Sequence, residues 1–119
     1  MNLGELHTIL TSLDSEMRLD GIYSNPHSDR GYYNKVAIRK EEGESTVWDL
    51  LFLLEHDILN ETFQGYKGGD FKMDFNSGIR IGYDSSCTGN EFITEIKAQE
   101  GVIKLYLTEY QQRSMREYL

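Results

Sequence analysis

The stretch STVWDLLFLLEHDI, residues 45–58, carries the strongest secondary-structure signal in the chain. Ser45 or Thr46 starts the predicted helix, and Asp49 follows Thr46 by three residues, as in a capping box. The apolar side chains recur on one helical face, namely Val47, Leu50, Leu51, Leu54 and Ile58. The pattern therefore predicts a long amphipathic helix that packs against a sheet.

This predicted helix has an apolar surface wider than one stripe. Trp48, Phe52 and Leu53 lie outside the main apolar face, so we expect the helix to be covered on two sides, by the sheet and by a partner subunit. Between Glu41 and Glu61 the chain has seven acidic residues and no Lys or Arg. Such a run most often forms a solvated face, and here it makes the exposed edge of the helix negative.

The N-terminal third of the chain predicts a second helix, a loop and a strand. Asn2 is placed to cap a short helix that ends near Asp14. The segment YSNPHSDRGYY, residues 23–33, contains the only proline and is predicted to be a long polar loop. The following KVAIRKEE, residues 35–42, alternates Val36 and Ile38 with other residues and predicts a strand.

The C-terminal half predicts two hairpins. Residues 71–75 and 79–83 alternate apolar and polar side chains around an NSG turn, and residues 92–98 and 102–110 do so around Gln99 to Gly101. Thr108 is placed to cap a short C-terminal helix. The order of elements predicts one α+β domain over residues 1–119, with an antiparallel sheet of four to six strands, a long amphipathic helix and short terminal helices.

Composition limits the partners of this domain. The 119 residues carry 12 Lys and Arg against 20 Asp and Glu, for a net charge of −8, which disfavours a broad nucleic-acid interface. The N-terminus lacks a signal-peptide pattern, and the sequence contains no apolar run long enough to span a membrane. A single cysteine, Cys87, cannot form an intramolecular disulfide. We therefore expect a cytoplasmic protein that binds neither membranes nor nucleic acid.

The segment FQGYKGGDF, residues 63–71, packs three glycines beside aromatic side chains and a lysine. Glycine permits positive φ angles and close approach of another group, while Tyr66 offers a flat ring and Lys67 a cation. Residues 63–83 also hold Lys67, Lys72 and Arg80 against two aspartates, which makes them locally positive in an acidic chain. This mixture suits a small anionic ligand that carries a ring.

Residues from four loops or strand ends complete this candidate ligand site. Arg30 and Lys67 are suited to hold phosphate oxygens, and the N–H groups of Gly68 and Gly69 to form an anion-binding nest. The other candidates are rings for stacking on a base or polar groups for a base edge or ribose: Asn25, His27, Tyr32, Tyr33, Gln64, Tyr66, Arg80, Ser85 and Ser86. The competing interpretation is structural, with Arg30 paired to an acid, the tyrosines in the core and the glycines in turns.

Signals for catalysis and for metal binding are weak. The phosphate-binding patterns G-x-x-x-x-G-K-[ST] and G-x-G-x-x-G are both absent, and the three histidines have no metal-ligand spacing. His27, close to Asp29 and Arg30, is the one candidate general acid or base. No nucleophile with a matched base accompanies it, so we expect neither an enzyme nor a bound cofactor or metal.

Two segments together resemble a family of small, mostly phage-encoded proteins. They are PHSDRGYYNKVAI, residues 26–38, and TVWDLLFLLEHDILNETFQGYKGGDFKMD, residues 46–74. They carry an RGYY segment, a T-V-x-[DE]-L-L helix start and a GYKGG-x-[FY]-x-M block, and so look like Thoeris anti-defence protein one. The resemblance implies a non-catalytic homo-oligomer in the host cytoplasm that sequesters cyclic ADP-ribose signals or cyclic oligonucleotides between subunits. By motif, the implied ligand-binding residues are Arg30, Tyr32, Tyr33, Tyr66, Lys67, Gly68 and Gly69.

Two other function classes stay open at this point. The net charge of −8 and the acidic run from Glu41 to Glu61 also fit a protein-directed inhibitor or DNA mimic that blocks a basic defence protein. An enzyme that degrades a nucleotide would depend on His27 alone. Tight binding of an intact nucleotide-like ligand separates the first hypothesis from these two.

Overall fold

The computed structural model describes residues 1–83 and 91–109, with residues 107–109 described by their backbone alone. The two helices are α1 (Leu3–Thr11) and α2 (Val47–Phe52), and α2 continues as a π-helix over Leu53–Ile58. The strands are β1 (Arg18–Ser28), β2 (Lys35–Thr46), β3 (Thr62–Gln64), β4 (Asp70–Lys72), β5 (Gly78–Gly82), β6 (Glu91–Gln99) and β7 (Val102–Glu109). A short 3₁₀ turn, Asp29–Gly31, links β1 to β2.

Both helices begin at capping boxes. The Asn2 side chain accepts from the Glu5 amide at 2.8 Å, and Glu5 accepts in return from the Asn2 amide at 3.1 Å. Thr46 and Asp49 exchange the same pair of bonds, at 3.2 and 2.9 Å. These bonds satisfy amides at each helix start that lack a partner within the helix, so both predicted starts are confirmed.

The helix that starts at Thr46 is shorter than predicted. Its α-helical part ends at Phe52, after which the bonding widens, and the Leu59 amide donates to the Leu54 carbonyl, five residues earlier, at 2.8 Å. The wider π-helical turn lets the adjacent side chains of Leu53 and Leu54 both reach the core. Leu53, predicted to lie outside the main apolar face, is therefore buried in the same core as Leu54.

Five strands form a closed barrel in the order β1-β2-β5-β6-β7. The pairs β1–β2, β5–β6 and β6–β7 are antiparallel, whereas β2–β5 and β1–β7 are parallel. The α+β class and the strand number agree with the prediction. The expectation of an antiparallel sheet is wrong for two of the pairs, because β5 joins β2 in parallel and β7 closes the barrel on β1 in parallel.

The hairpin predicted around the NSG turn is also wrong. Instead of pairing with residues 79–83, β4 pairs with β3 to form a separate two-stranded sheet. The segment between β4 and β5 is tied to the start of α1, since the Phe75 carbonyl accepts from Gly4 at 2.9 Å and the Ser77 carbonyl from Leu3 at 2.9 Å. After these bonds the chain enters the barrel as β5, which pairs with β2.

The long polar loop predicted for residues 23–33 is mostly strand. β1 continues to Ser28, with register shifts against β2 between Asp20 and Ile22 and between Ser24 and His27. Asn25, with φ of 53°, and Pro26 lie in the second shift. A proline cannot donate a hydrogen bond to a strand ladder, but it is tolerated at a bulge. Residues 23–28 therefore form a bulged strand although their polar composition is typical of a loop.

The hairpin of β6 and β7 is confirmed, with its turn at Glu100 and Gly101. The predicted C-terminal helix lies outside the described residues, apart from its proposed cap at Thr108, which is part of β7.

One hydrophobic core fills the barrel and lies beneath both helices. Val36 and Ile38 of β2 pair with Ile79 and Ile81 of β5, and these four side chains are fully or almost fully buried. The helices contribute further buried residues, namely Leu3, Leu6, Leu10, Val47, Leu50, Leu53, Leu54 and Ile58. In the described ranges, neither helix is long and apolar enough to cross a membrane.

We expect Ile81→Ala to lower the free energy of unfolding by about 2–5 kcal/mol, because Ile81 is fully buried and its truncation leaves a cavity. The control is Ile22→Ala, since Ile22 is 42% exposed and its loss should cost less than about 1 kcal/mol. Urea unfolding followed by circular dichroism measures both values. Equal losses for the two variants would contradict the assigned interior of the barrel.

Candidate functional site

The first part of the candidate site is the turn between β1 and β2. Arg30, with φ of 53°, and Gly31, with φ of 78°, are both left-handed, and the Tyr32 amide closes the turn on the Asp29 carbonyl at 2.9 Å. A Cβ at Gly31 would lie 2.8 Å from the Tyr66 backbone nitrogen. Glycine at 31 is therefore required both by its φ angle and by the approach of a second segment.

That second segment is the loop of residues 65–69, which joins β3 to β4. The Gly68 amide donates to the Gly65 carbonyl at 2.9 Å, and the Gly65 amide to the Gly69 carbonyl at 3.1 Å. Because the Gly68 N–H is used inside the loop, the predicted anion nest of Gly68 and Gly69 depends on Gly69 alone. No atom lies within 4 Å of a Cβ built at either glycine, so both positions face open space.

The turn and the loop are held together by direct contacts. The Tyr66 amide donates to the Gly31 carbonyl at 2.9 Å, and Ser28 Oγ donates to the Gln64 carbonyl at 3.0 Å. The Tyr33 ring covers Gly65 so closely that a Cβ there would overlap the ring. Tyr33 also packs edge-on against Phe71, with ring centroids 5.0 Å apart. The RGYY and GYKGG segments thus form one unit.

An exposed surface remains on this unit, which we call the cationic face and define as Arg30, Tyr32, Lys35, Tyr66 and Lys67. Lys67 Nζ lies 5.6 Å from the centre of the Tyr66 ring, and Lys35 Nζ lies 5.3 Å from that of Tyr32. The Tyr66 side chain is 65% exposed. Cations beside accessible rings suit an anionic ligand with an aromatic base.

The sequence pointed to four of the five members of this face and missed Lys35. Lys35 was interpreted only as the first residue of a strand. Its spacing of three from Tyr32, in YYNK, is the available signal, because in the structure Lys35 Nζ lies 5.3 Å from the centre of the Tyr32 ring. Tyr33 is the opposite case, since its ring is used mainly for packing on Gly65 and Phe71.

Three further predicted residues lie on two strands, Asn25 and His27 on β1 and Gln64 on β3. Asn25 lies in the β1 bulge, and its carbonyl accepts from His27 Nδ1 at 2.8 Å. This bond leaves His27 Nε2 buried and, within the described residues, without a hydrogen-bond partner. Gln64 joins the unit through its carbonyl, which accepts from Ser28.

Arg80 lies on β5 rather than on either loop. Ala37 of β2 pairs with His27 on one side and with Arg80 on the other, so the strand pairing places these two polar residues on either side of a buried alanine. The Arg80 guanidinium packs over the Phe92 ring at 5.1 Å. Ser85 and Ser86, like Cys87, lie outside the described residues.

At least two open grooves lie elsewhere on the surface of the described residues. One, of about 690 Å³, follows α1 and is lined by residues that include His7 and Phe75. The other, of about 640 Å³, lies over β1 and β2, where Lys40 is 3.4 Å from the Asp20 carboxylate. Burial, together with the Asp20 charge, raises the pKa of the neighbouring Tyr23. Neither groove is lined by a residue of the cationic face.

Comparisons with known proteins add no further information about the site. No protein-family model, no curated protein and no solved structure matches the chain. Among the described residues, no group of three or more His, Cys, Asp or Glu side chains is arranged to hold a metal ion.

We expect Gly31→Ala to destabilise the protein by about 1–3 kcal/mol, because an alanine there is strained by its φ angle and collides with the Tyr66 backbone. Gly69→Ala is the matched control in the same unit and should change stability by less than about 0.5 kcal/mol. Thermal or urea unfolding compares them. A harmless Gly31→Ala would show that the turn and the loop are not packed together.

Proposed function

We propose that this protein binds and sequesters a cyclic nucleotide-like signal, such as a cyclic ADP-ribose isomer or a cyclic oligonucleotide, without cleaving it. The observation that carries the proposal is the bond between the Tyr66 amide and the Gly31 carbonyl. It joins the two segments on which the resemblance depends, RGYY and GYKGG, into a single cationic and aromatic surface. Two motifs separated by more than thirty residues thereby contribute to one place.

Each member of the cationic face has a chemical counterpart in such a ligand. The guanidinium of Arg30 is suited to bidentate contact with a pyrophosphate, and the ammonium groups of Lys35 and Lys67 add point charges. The exposed rings of Tyr32 and Tyr66 are suited to stack on adenine. Glycines 68 and 69, with open space above them, leave room for a ligand to approach the backbone.

Binding without cleavage follows from the side chains that define the face. One arginine, two lysines and two tyrosines hold anions and stack on bases, but none of them normally accepts a proton near neutral pH. His27, the one catalytic candidate, belongs to the β1 bulge, where its Nδ1 is bonded to Asn25. We therefore favour a binding protein over an enzyme.

We infer that a second subunit completes the pocket. Four of the five residues of the cationic face are exposed in the single chain and Lys35 is partly buried, whereas small-molecule sites usually bury most of their ligand. A homo-oligomer that covers this face would enclose the ligand, as the resemblance to Thoeris anti-defence protein one implies. In this proposal the protein is phage-encoded and acts in the host cytoplasm, where it removes an immune signal and so serves immune evasion.

Isothermal titration with cyclic ADP-ribose isomers and cyclic dinucleotides tests the proposal. We expect one of these ligands to bind more tightly than micromolar. Lys67→Ala should weaken the binding of that ligand by about tenfold or more, because a charged hydrogen bond is lost. The matched control is Lys97→Ala, since Lys97 lies over Tyr106 at the same 5.6 Å as Lys67 over Tyr66. Failure of every ligand to reach micromolar affinity would overturn the proposal.

Whether the protein cleaves the bound ligand is tested by a separate measurement. We expect mass spectrometry after heat denaturation of the complex to recover the added ligand intact, because the face supplies binding groups alone. A hydrolysed product that accumulates with time, and that disappears in His27→Ala, would instead establish an enzyme.

A further inference from the structure

A column of exposed rings lies along α2 and its π-helical continuation. Trp48 stacks on Phe52, with centroids 5.1 Å apart, and Phe52 stacks on His56 at 4.2 Å. Trp48 is 54% exposed although its ring is the largest apolar side chain in the protein. Surface helices usually turn such residues inward, so three stacked rings in solvent indicate a surface that meets another molecule.

A second aromatic pair extends this surface across α1. The His7 ring lies 5.5 Å from that of Phe75, which is 55% exposed, and both line the groove of about 690 Å³. His7 Nε2 is 4.0 Å from the Glu55 carboxylate on the π-helix. We call the combined region the acidic aromatic surface and define it as His7, Trp48, Phe52, Glu55, His56 and Phe75.

The charge of the two helices has a single sign. Residues 3–11 and 47–58 contain four acidic side chains and no lysine or arginine, the acidic residues being Glu5, Asp49, Glu55 and Asp57. A cation that approaches this surface meets carboxylates and the exposed ring of Trp48 at the end of the column, and both attract positive charge. The region is therefore complementary to a basic and partly apolar partner.

We propose that the acidic aromatic surface docks a basic, amphipathic segment of a partner protein, separately from the ligand site on the cationic face. A second copy of this chain is a poorer occupant, because a two-fold contact through the same patch would oppose carboxylates with carboxylates. An anionic membrane is disfavoured for the same reason. An apolar anchor in the groove beside Phe75, with Lys or Arg side chains near Trp48 and Glu55, fits both the shape and the charge.

Trp48 provides the readout, because it is the only tryptophan in the chain and lies at one end of the ring column. Its fluorescence is followed during titration with an amphipathic Lys/Leu peptide and with its Glu/Leu counterpart. We expect a saturable change with the basic peptide alone, weakened by added salt because the charges become screened. Equal responses to both peptides, or no saturable response to the basic one, would overturn the proposal.

Variants locate the binding. Phe52→Ala and Glu55→Lys should each weaken binding of the basic peptide by about tenfold, as expected for central residues of a contact. Glu42→Lys, on the exposed part of β2, changes the net charge equally and should leave binding within about twofold, as expected for a charge outside the contact. Circular dichroism and urea unfolding confirm that each variant is folded.

Two outcomes of this comparison would contradict the proposal. If Glu42→Lys weakens binding of the peptide as strongly as Glu55→Lys does, the peptide is attracted by the net charge of the protein and not by the acidic aromatic surface. If sedimentation shows a dimer that Phe52→Ala dissociates, the occupant is a second copy of the chain. A protein whose oligomeric state is unchanged by Phe52→Ala, and that loses peptide binding in Phe52→Ala or in Glu55→Lys, supports the proposal.

Discussion

Closure of the barrel is the constraint on which the other features depend. The parallel pairing of Arg18 with Val102 and of Leu19 with Ile103 joins the first strand to the last. Once closed, the barrel fixes the course of β1, and the bulge at Asn25 bends that strand before it reaches the RGYY turn. The same closure gives α1 and α2 a common core to cover, so the cationic face and the acidic aromatic surface both depend on it.

The glycines of the two motifs divide into a structural pair and an open pair. Gly31 and Gly65 permit contacts that no larger residue allows, with the Tyr66 backbone and the Tyr33 ring respectively. Gly68 and Gly69 have no neighbour within 4 Å of an added Cβ, and only Gly68 has a positive φ. Packing thus explains the first pair without a ligand. Packing does not explain the glycine at position 69. A ligand that approaches the backbone closely at this position would explain it.

Local signals in the sequence were sufficient for the helix starts and for the last hairpin, because capping boxes and a two-residue turn are set by neighbouring residues. Local signals did not predict the features that depend on contacts between residues far apart in the sequence. The alternation of Phe71, Met73 and Phe75 looked like half of a hairpin, but bonds from α1 to Phe75 and Ser77 redirected the chain. The candidate site shows the same division. Arg30 and Lys67 were recognised by residue type, whereas Lys35 required knowledge of which ring it covers.

A chain with a net charge of −8 can still attract an anion, because the range of electrostatics in salt is short. At physiological ionic strength exposed charges are screened over about 8 Å, so a bound phosphate senses chiefly the cations that touch it. The distant carboxylates act mainly on the encounter, slowing the approach of anions and speeding that of basic partners. In the proposed site, local cations would therefore determine how tightly an anionic ligand is held. The acidic remainder would influence which macromolecules come near, so the two proposed surfaces are suited to different kinds of partner.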